Sequence, residues 1–270
     1  MIHAGPAYDI PSRYADLFGR ERFIDERSQQ HPMRRQLEAA ATAAARVRHY
    51  RRPPRAYKQR GGTCVGHGKR WKYDCGPRML GTGHWRQFVP VGPDPYEIYR
   101  EAQKHDIWAG ENYEGTSVTG AARAAQKVLK VTMPRTTTPV PLLGEYAWAW
   151  DATTVIDFLL SGLGTIVIGV DWFEGMLDTD KDGYIRPTGR EVGGHCVCLD
   201  GADLGALGVG MDPDVYGTNS WGDDWGFRGN NPHKPSTQAG GRFRIKATDL
   251  NPLLSFERWG EAMTSIELGR

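Results

Sequence analysis

Hydrophobic positions along this chain follow a helical period in the first half and a strand-like pattern in the second. After Pro32, the positions Met33, Leu37, Ala40, Ala44 and Val47 recur at helical spacing through an alanine-rich run, which predicts a helix over 33–50 stopped by Pro53-Pro54. The same period returns over 95–104 and over 116–129, where Thr116 or Ser117 is placed to cap the first free N–H groups. A further short helix is predicted over 153–160. From there the character changes: 165–170 is a β-branched run, and 196–199 and 242–245 read as strands.

Helices first and strands later predict an α+β chain in two lobes. The expected division is a basic N-terminal arm and helix over 1–54, a helical lobe over 55–150 and a β-rich lobe over 151–270. Within the arm, Pro6, Pro11 and Pro32 break up residues 1–32, which leaves room for at most a short helix. No internal repeat or low-complexity tract is present.

Composition narrows the function classes. The chain has 270 residues, 39% hydrophobic and 24% charged, a globular profile with enough length for a real core. No apolar run approaches the roughly 18 residues of a membrane span, and the start shows no basic cluster followed by an apolar stretch. A cytoplasmic location or incorporation into a larger particle is therefore expected, with no membrane partner. Charge is uneven. Residues 11–60 hold 13 basic and 5 acidic side chains, whereas 61–270 hold 21 basic and 26 acidic. A basic front end before a mildly acidic body favours docking on an acidic or assembly partner, or on the body itself. No aromatic-basic motif accompanies the charge, so nucleic acid is not an expected partner.

The four cysteines, Cys64, Cys75, Cys196 and Cys198, are too few for a disulfide framework at this length. Cys196 and Cys198 read as small buried residues of a strand, and the spacing of Cys64, His67 and Cys75 fits no common zinc site.

Three residues carry the candidate chemistry. Cys64 follows Gly61-Gly62-Thr63. His195 follows Gly193-Gly194 at a strand start. Asn219 lies in Gly217-Thr218-Asn219-Ser220-Trp221-Gly222-Asp223-Asp224-Trp225-Gly226. A thiol that attacks a carbonyl, an imidazole that takes and returns the proton, and an amide that holds the imidazole in one tautomer form a complete acyl-transfer set. A helix beginning at Cys64 would stabilise its thiolate, although Gly66 and Gly68 predict a short one. The Cys64 N–H and the Gln59 carboxamide are the expected oxyanion donors. Trp221 and Trp225 would shield the His195–Asn219 pair from water. His67 is a rival base, with a surface or substrate-facing position expected for it instead.

These segments resemble the papain-like cysteine peptidases: Gln59, Gly62-Thr63-Cys64-Val65, Gly193-Gly194-His195, and 217–222 with Trp225-Gly226. Glu114-Gly115-Thr116-Ser117 is similar to a stretch of the bacterial and phage members. The likeness spans residues 52–270. It implies a helical left lobe carrying Cys64 and an antiparallel, barrel-like right lobe carrying His195 and Asn219. It also implies a thiol-dependent hydrolase of peptide or amide bonds with no cofactor. Cys64 is then the nucleophile, His195 the acid/base, Asn219 the orienter and Gln59 the oxyanion donor. Gly115, Gly194 and Trp221 line the groove for a peptide or protein substrate. The chain departs from the pattern in Val65-Gly66-His67 and in the five-residue step from Gln59 to Cys64. A papain-like domain kept as an assembly part, for example of a phage particle, is the competing expectation. The N-terminal helix is short for an inhibitory prosegment, so a docking arm is expected.

Asp178, Asp180 and Asp182 match the first half of a calcium loop, but Gly189 stands where a bidentate glutamate belongs. A carboxylate-rich hairpin turn is the favoured reading.

Overall fold

The computed structural model describes residues 13–22, 30–40, 45–50, 56–76, 79–80, 84–85, 90–91, 94–108, 113–128, 130–132, 139–141, 144–205, 212–227, 240–255 and 260–267. Pro6, Pro11 and the helix stop expected at Pro53-Pro54 lie outside these residues.

Helix α1 (Met33–Ala40) begins where the periodicity begins but has only 8 residues. Strand β1 (Val47–His49) follows instead of the helix expected to residue 50. It pairs with 201–203 of a long central strand, and Tyr50 N–H continues the contact to the Asp200 carbonyl at 2.9 Å. At 47–49 sheet pairing overrides the helical period.

The left lobe holds α2 (Cys64–Cys75), α3 (Pro95–Ala102) and α4 (Val118–Val128). Asp94 and Glu97 close a reciprocal capping box on α3. Ser117 Oγ accepts the Gly120 N–H at 2.9 Å, the cap foreseen for α4. Short strands β2 (Met79–Leu80) and β3 (His84–Trp85) pair with each other. Strands β4 (Pro90–Val91), β5 (Lys130–Thr132) and β6 (Pro139–Pro141) form a three-stranded sheet.

The right lobe is an antiparallel sheet in the order β11-β10-β9-β8-β12-β7, with β1 also on β9. Its strands are β7 (Gly144–Ala149), β8 (Ile166–Phe173), β9 (Glu191–Asp203), β10 (Asp214–Thr218), β11 (Arg242–Lys246) and β12 (Glu261–Glu267). Helices α5 (Ala152–Ser161) and α6 (Ala247–Leu253) pack with it. The expected boundary at residue 150 is cut across, because β7 pairs with β12 along its whole length. Strand β1, expected in a helical arm, also belongs to this sheet.

Helix α2 is the buried axis between the lobes, and it runs 12 residues straight through Gly66 and Gly68. The short helix expected from those glycines does not occur. A Cβ on Gly66 would press on the Pro95 carbonyl and lie 2.9 Å from Tyr99 Cβ, and one on Gly68 would lie 2.9 Å from Cys196 Sγ. The glycines lower helix propensity but let α3 and β9 approach the nucleophile's helix closely. Among the described residues, no helix is long and apolar enough to cross a membrane.

Candidate active site

Cys64 opens α2 directly after a turn that Gly61 makes at φ 63°. The residue is fully buried. Burial pushes its thiol up to about 12, against the smaller, opposite pull of backbone groups of Gly19, Cys196 and Val65.

His195 lies on β9 opposite Val170, and Asn219 follows the end of β10. Pairing of β9 with β10 carries the two residues together across 24 positions of sequence. His195 Nε2 donates to Asn219 Oδ1 at 2.9 Å, and the same oxygen accepts the Ser220 N–H at 2.7 Å. Two donors on one oxygen fix which end of the carboxamide faces the ring. The proton is thereby placed on Nε2, and the lone pair on Nδ1 is left for a thiol proton. Nδ1 has no hydrogen-bond partner, the Cys64 sulfur included. Burial lowers the imidazole to about 4, an effect that Asn219 and the Leu17 backbone oppose. In this closed state thiol and imidazole are therefore both neutral.

Aromatic rings enclose the imidazole. Trp172 packs edge-on with centroids 4.7 Å apart, Trp221 lies at 4.8 Å and Phe18 at 5.9 Å. Trp225 packs behind Trp221 at 5.3 Å. The shielding foreseen for the two tryptophans is thus supplied mainly by Trp221, together with Trp172, which sequence reasoning missed.

Phe18 belongs to the N-terminal arm, whose residues 17–21 lie against the site. Gln59 Nε2 donates to the Leu17 carbonyl at 2.9 Å and to Gly61 O at 3.1 Å. Gly19 and Arg20 N–H both reach the Gly194 carbonyl, at 3.2 and 3.1 Å. On the opposite wall Thr116 N–H donates to Gly19 O at 2.9 Å and Glu21 N–H to Thr116 O at 3.0 Å. Residues 17–21 thus hydrogen-bond to both lobes at once. Gly115 and Gly194 lie on the groove walls, and the backbone pairing with the arm on the Gly115 side is made by the next residue, Thr116. A Cβ on Gly115 would lie 2.7 Å from Gly19 O.

Of the two docking targets foreseen for the basic front end, the described part uses the body. Arg13 pairs with Asp178 at 2.7 Å, and Arg20 and Arg22 both pair with Asp171, while Arg22 also meets Glu191.

His67 is not at the surface. It is buried, its Nδ1 lies 2.9 Å from Thr63 O, and burial lowers it to about 4. Tyr57 and Tyr96 pack edge-on against it. Its place is at the base of the nucleophile's helix. All four cysteines are free. The carboxylates of the Asp178–Asp182 turn do not converge. Asp178 takes Arg13 and Tyr14, Asp180 accepts the N–H groups of Asp182 and Tyr184, and Asp182 pairs with Lys181. Among the described residues no group of three metal-ligating side chains forms.

Sequence reasoning did not find Phe18, Arg20, Asp171, Trp172 or Glu261. For Arg20 the only signal was the surplus charge of its segment. For Trp172 there was none beyond a hydrophobic strand.

No family model and no curated protein sequence matches the chain. Solved structures do. Xylellain, a cysteine protease from Xylella fastidiosa, superposes with a TM-score of 0.56 at 16% identity, over 93% of this chain and 96% of that one. Procathepsin B S9 from Trypanosoma congolense gives 0.58 at 13% identity, over 93% and 86%. Procathepsin L2 from Tenebrio molitor larval midgut gives 0.56 at 15% identity, over 96% and 81%. The chain has the papain-like, two-lobed α+β fold.

Proposed function

We propose that this protein is a thiol-dependent hydrolase of peptide or amide bonds, held latent by residues 17–22 of its own arm. The observation that carries the reading is the hydrogen bond from His195 to Asn219, with Nδ1 left without a hydrogen-bond partner and the Gln59 carboxamide donating to the Leu17 carbonyl. A substrate carbonyl in place of Leu17 would meet a preset donor in Gln59. The Cys64 thiol would attack the carbonyl carbon and pass its proton to His195 Nδ1. The acyl-thioester forms as the proton is returned to the leaving amine, and water then releases the acid. Displacing the arm rehydrates sulfur and ring, and this removes the burial that now keeps both neutral.

The cathepsin matches are described as pro-forms and xylellain as a protease, which supports a peptide or protein substrate here. An assembly part with little turnover remains the second reading, favoured by the complete burial of Cys64 and His195.

An epoxide that alkylates activated thiols separates the two. A hydrolase gains label at Cys64 alone, faster in Phe18→Ala, and loses it in His195→Ala. Equal labelling of Cys75 or Cys196, or no label at Cys64 in Phe18→Ala, overturns the enzyme reading.

A further inference from the structure

Beside the nucleophile the arm fills a pocket that the hydrolytic machinery does not use. The Arg20 side chain is fully enclosed there. It runs between two strands at positions where neither carries a side chain. A Cβ on Gly169 of β8 would lie 3.2 Å from Arg20 Nε, and one on Gly194 of β9 would lie 3.2 Å from Arg20 Cδ. Neither glycine has a positive φ, so the missing side chains provide space rather than a special turn. Val118 of α4 closes the side.

The walls are acidic. Arg20 Nη1 donates to Asp171 Oδ1 at 3.2 Å. Arg22, at the rim, forks onto the same carboxylate with 3.0 Å contacts to Oδ1 and Oδ2. Glu261, paired in register with Gly169 across β12 and β8, is fully buried, and both its oxygens lack a hydrogen-bond partner. Among the described residues, Arg20 is the one charge that acts on it. Arg20 in turn leaves Nε and Nη2 unsatisfied. The arm therefore fills the pocket without matching it. Buried donors and acceptors left unmade are costly, so a guanidinium that reached both carboxylates would displace this one. With the arm gone, no other cation among the described residues pairs with Asp171 or Glu261.

We infer that this pocket, lined by Gly169, Asp171, Gly194, Glu261 and Val118, recognises an arginine side chain of the substrate, and that Arg20 occupies it as a built-in competitor. The inference rests on the hydrolase reading and adds its substrate class: peptides with an arginine close to the scissile bond on one side. A planar guanidinium with five donors can reach two separated carboxyl groups at once, which a compact ammonium cannot.

The test uses the full-length chain and two peptidyl epoxides that differ only in carrying arginine or citrulline, its neutral isostere. The arginyl epoxide should label Cys64 at least about tenfold faster, and Glu261→Gln should shrink the ratio. Equal rates for the two probes overturn the pocket while leaving the hydrolase reading intact. Labelling by neither probe, in Phe18→Ala as in the unchanged chain, overturns the hydrolase reading. Calorimetry with Arg20→Gln chain then decides the pocket by binding, using the peptide Leu17–Arg22 against its citrulline-20 form. At least about tenfold tighter binding of the arginine form upholds the pocket, and equal affinity refutes it.

Discussion

The Leu17 carbonyl oxygen accepts the Gln59 carboxamide N–H at 2.9 Å. On the proposed reading this one side chain both latches the arm and serves as oxyanion donor, and the two roles pull in opposite directions on substitution. Gln59→Ala should speed epoxide labelling of Cys64, since epoxide opening needs no oxyanion donor and the latch is gone. In the same variant peptide turnover should fall about 10²-fold, the usual loss for one such donor. Mass spectrometry of the label and kcat on a fluorogenic peptide give the two readouts. A parallel rise or a parallel fall would show that Gln59 has only one of these roles.

The protonation states of the closed site make a second prediction. Burial raises Cys64 to about 12 and lowers His195 to about 4. A raised thiol pKa means less thiolate at any pH below it, so iodoacetamide should alkylate wild-type Cys64 slowly at pH 7 and ever faster up to pH 10 without a plateau. Phe18→Ala removes the ring that packs on His195 and should readmit water, bringing the midpoint down by one unit or more. Peptide mapping of the alkylated thiol across pH measures both curves, and superimposable curves would exclude the arm as the cause of the shift.

Asn219 fixes the ring through one oxygen shared between His195 and Ser220. Asn219→Ala frees the imidazole to turn and leaves a buried N–H without its acceptor. Turnover in a Phe18→Ala background should drop about 10²-fold, within the range set by a mispositioned general base, while KM changes little. The lost buried hydrogen bonds should also cost about 1–3 kcal/mol, visible as a lower Tm. Asn219→Asp, which keeps an acceptor in place, should recover part of the turnover.

Much of this architecture was legible because local chemistry announced it. Cys64, His195 and Asn219 sit in glycine- and tryptophan-rich contexts whose order alone suggested a thiol site, and the β-branched run of 165–170 became most of β8. What was hidden depends on pairs distant in sequence. Arg20 and Asp171 are 151 residues apart, and nothing near either residue marks the other. The stretch 47–49 is helical by period but becomes a strand because β9 offers it an open edge. Gly66 and Gly68 read as helix breakers because their neighbours on α3 and β9 cannot be seen in the sequence.

Glu261 should leave a signature in stability against pH. Burial raises its carboxyl to about 8, with Arg20 pulling the other way. An acid with a raised folded pKa binds its proton more tightly when folded, so its contribution is complete below about 4.5 and is lost as pH climbs towards 8. His67 and His195, lowered to about 4, act with the opposite slope between about 4 and 6.5. The Glu261 effect should therefore stand alone from about pH 6.5 to 8.5, where wild-type Tm falls. Glu261→Gln should flatten that limb, a difference on the order of a few kcal/mol. Thermal unfolding at half-unit steps of pH measures it, and identical slopes would remove Glu261 as the source.

Gly66→Ala tests whether helix propensity or close approach governs α2. In an exposed helix this change stabilises by about 1 kcal/mol. Here the added methyl meets the Pro95 carbonyl, the first residue of α3, and Tyr99 Cβ one turn further on. Backbone on one side and a buried helix on the other leave no flexible group to yield, so α3 must move as a unit. Overpacking of this kind costs about 1–3 kcal/mol and should outweigh the propensity gain, giving a lower Tm. The displacement should also reach the groove, because Tyr99 Oη accepts the Gly115 N–H at 3.0 Å and Gly115 borders the arm at Gly19. Cys64 labelling should accordingly accelerate in the same variant. A Tm at or above that of wild type would mean that α3 has slack the packing does not show.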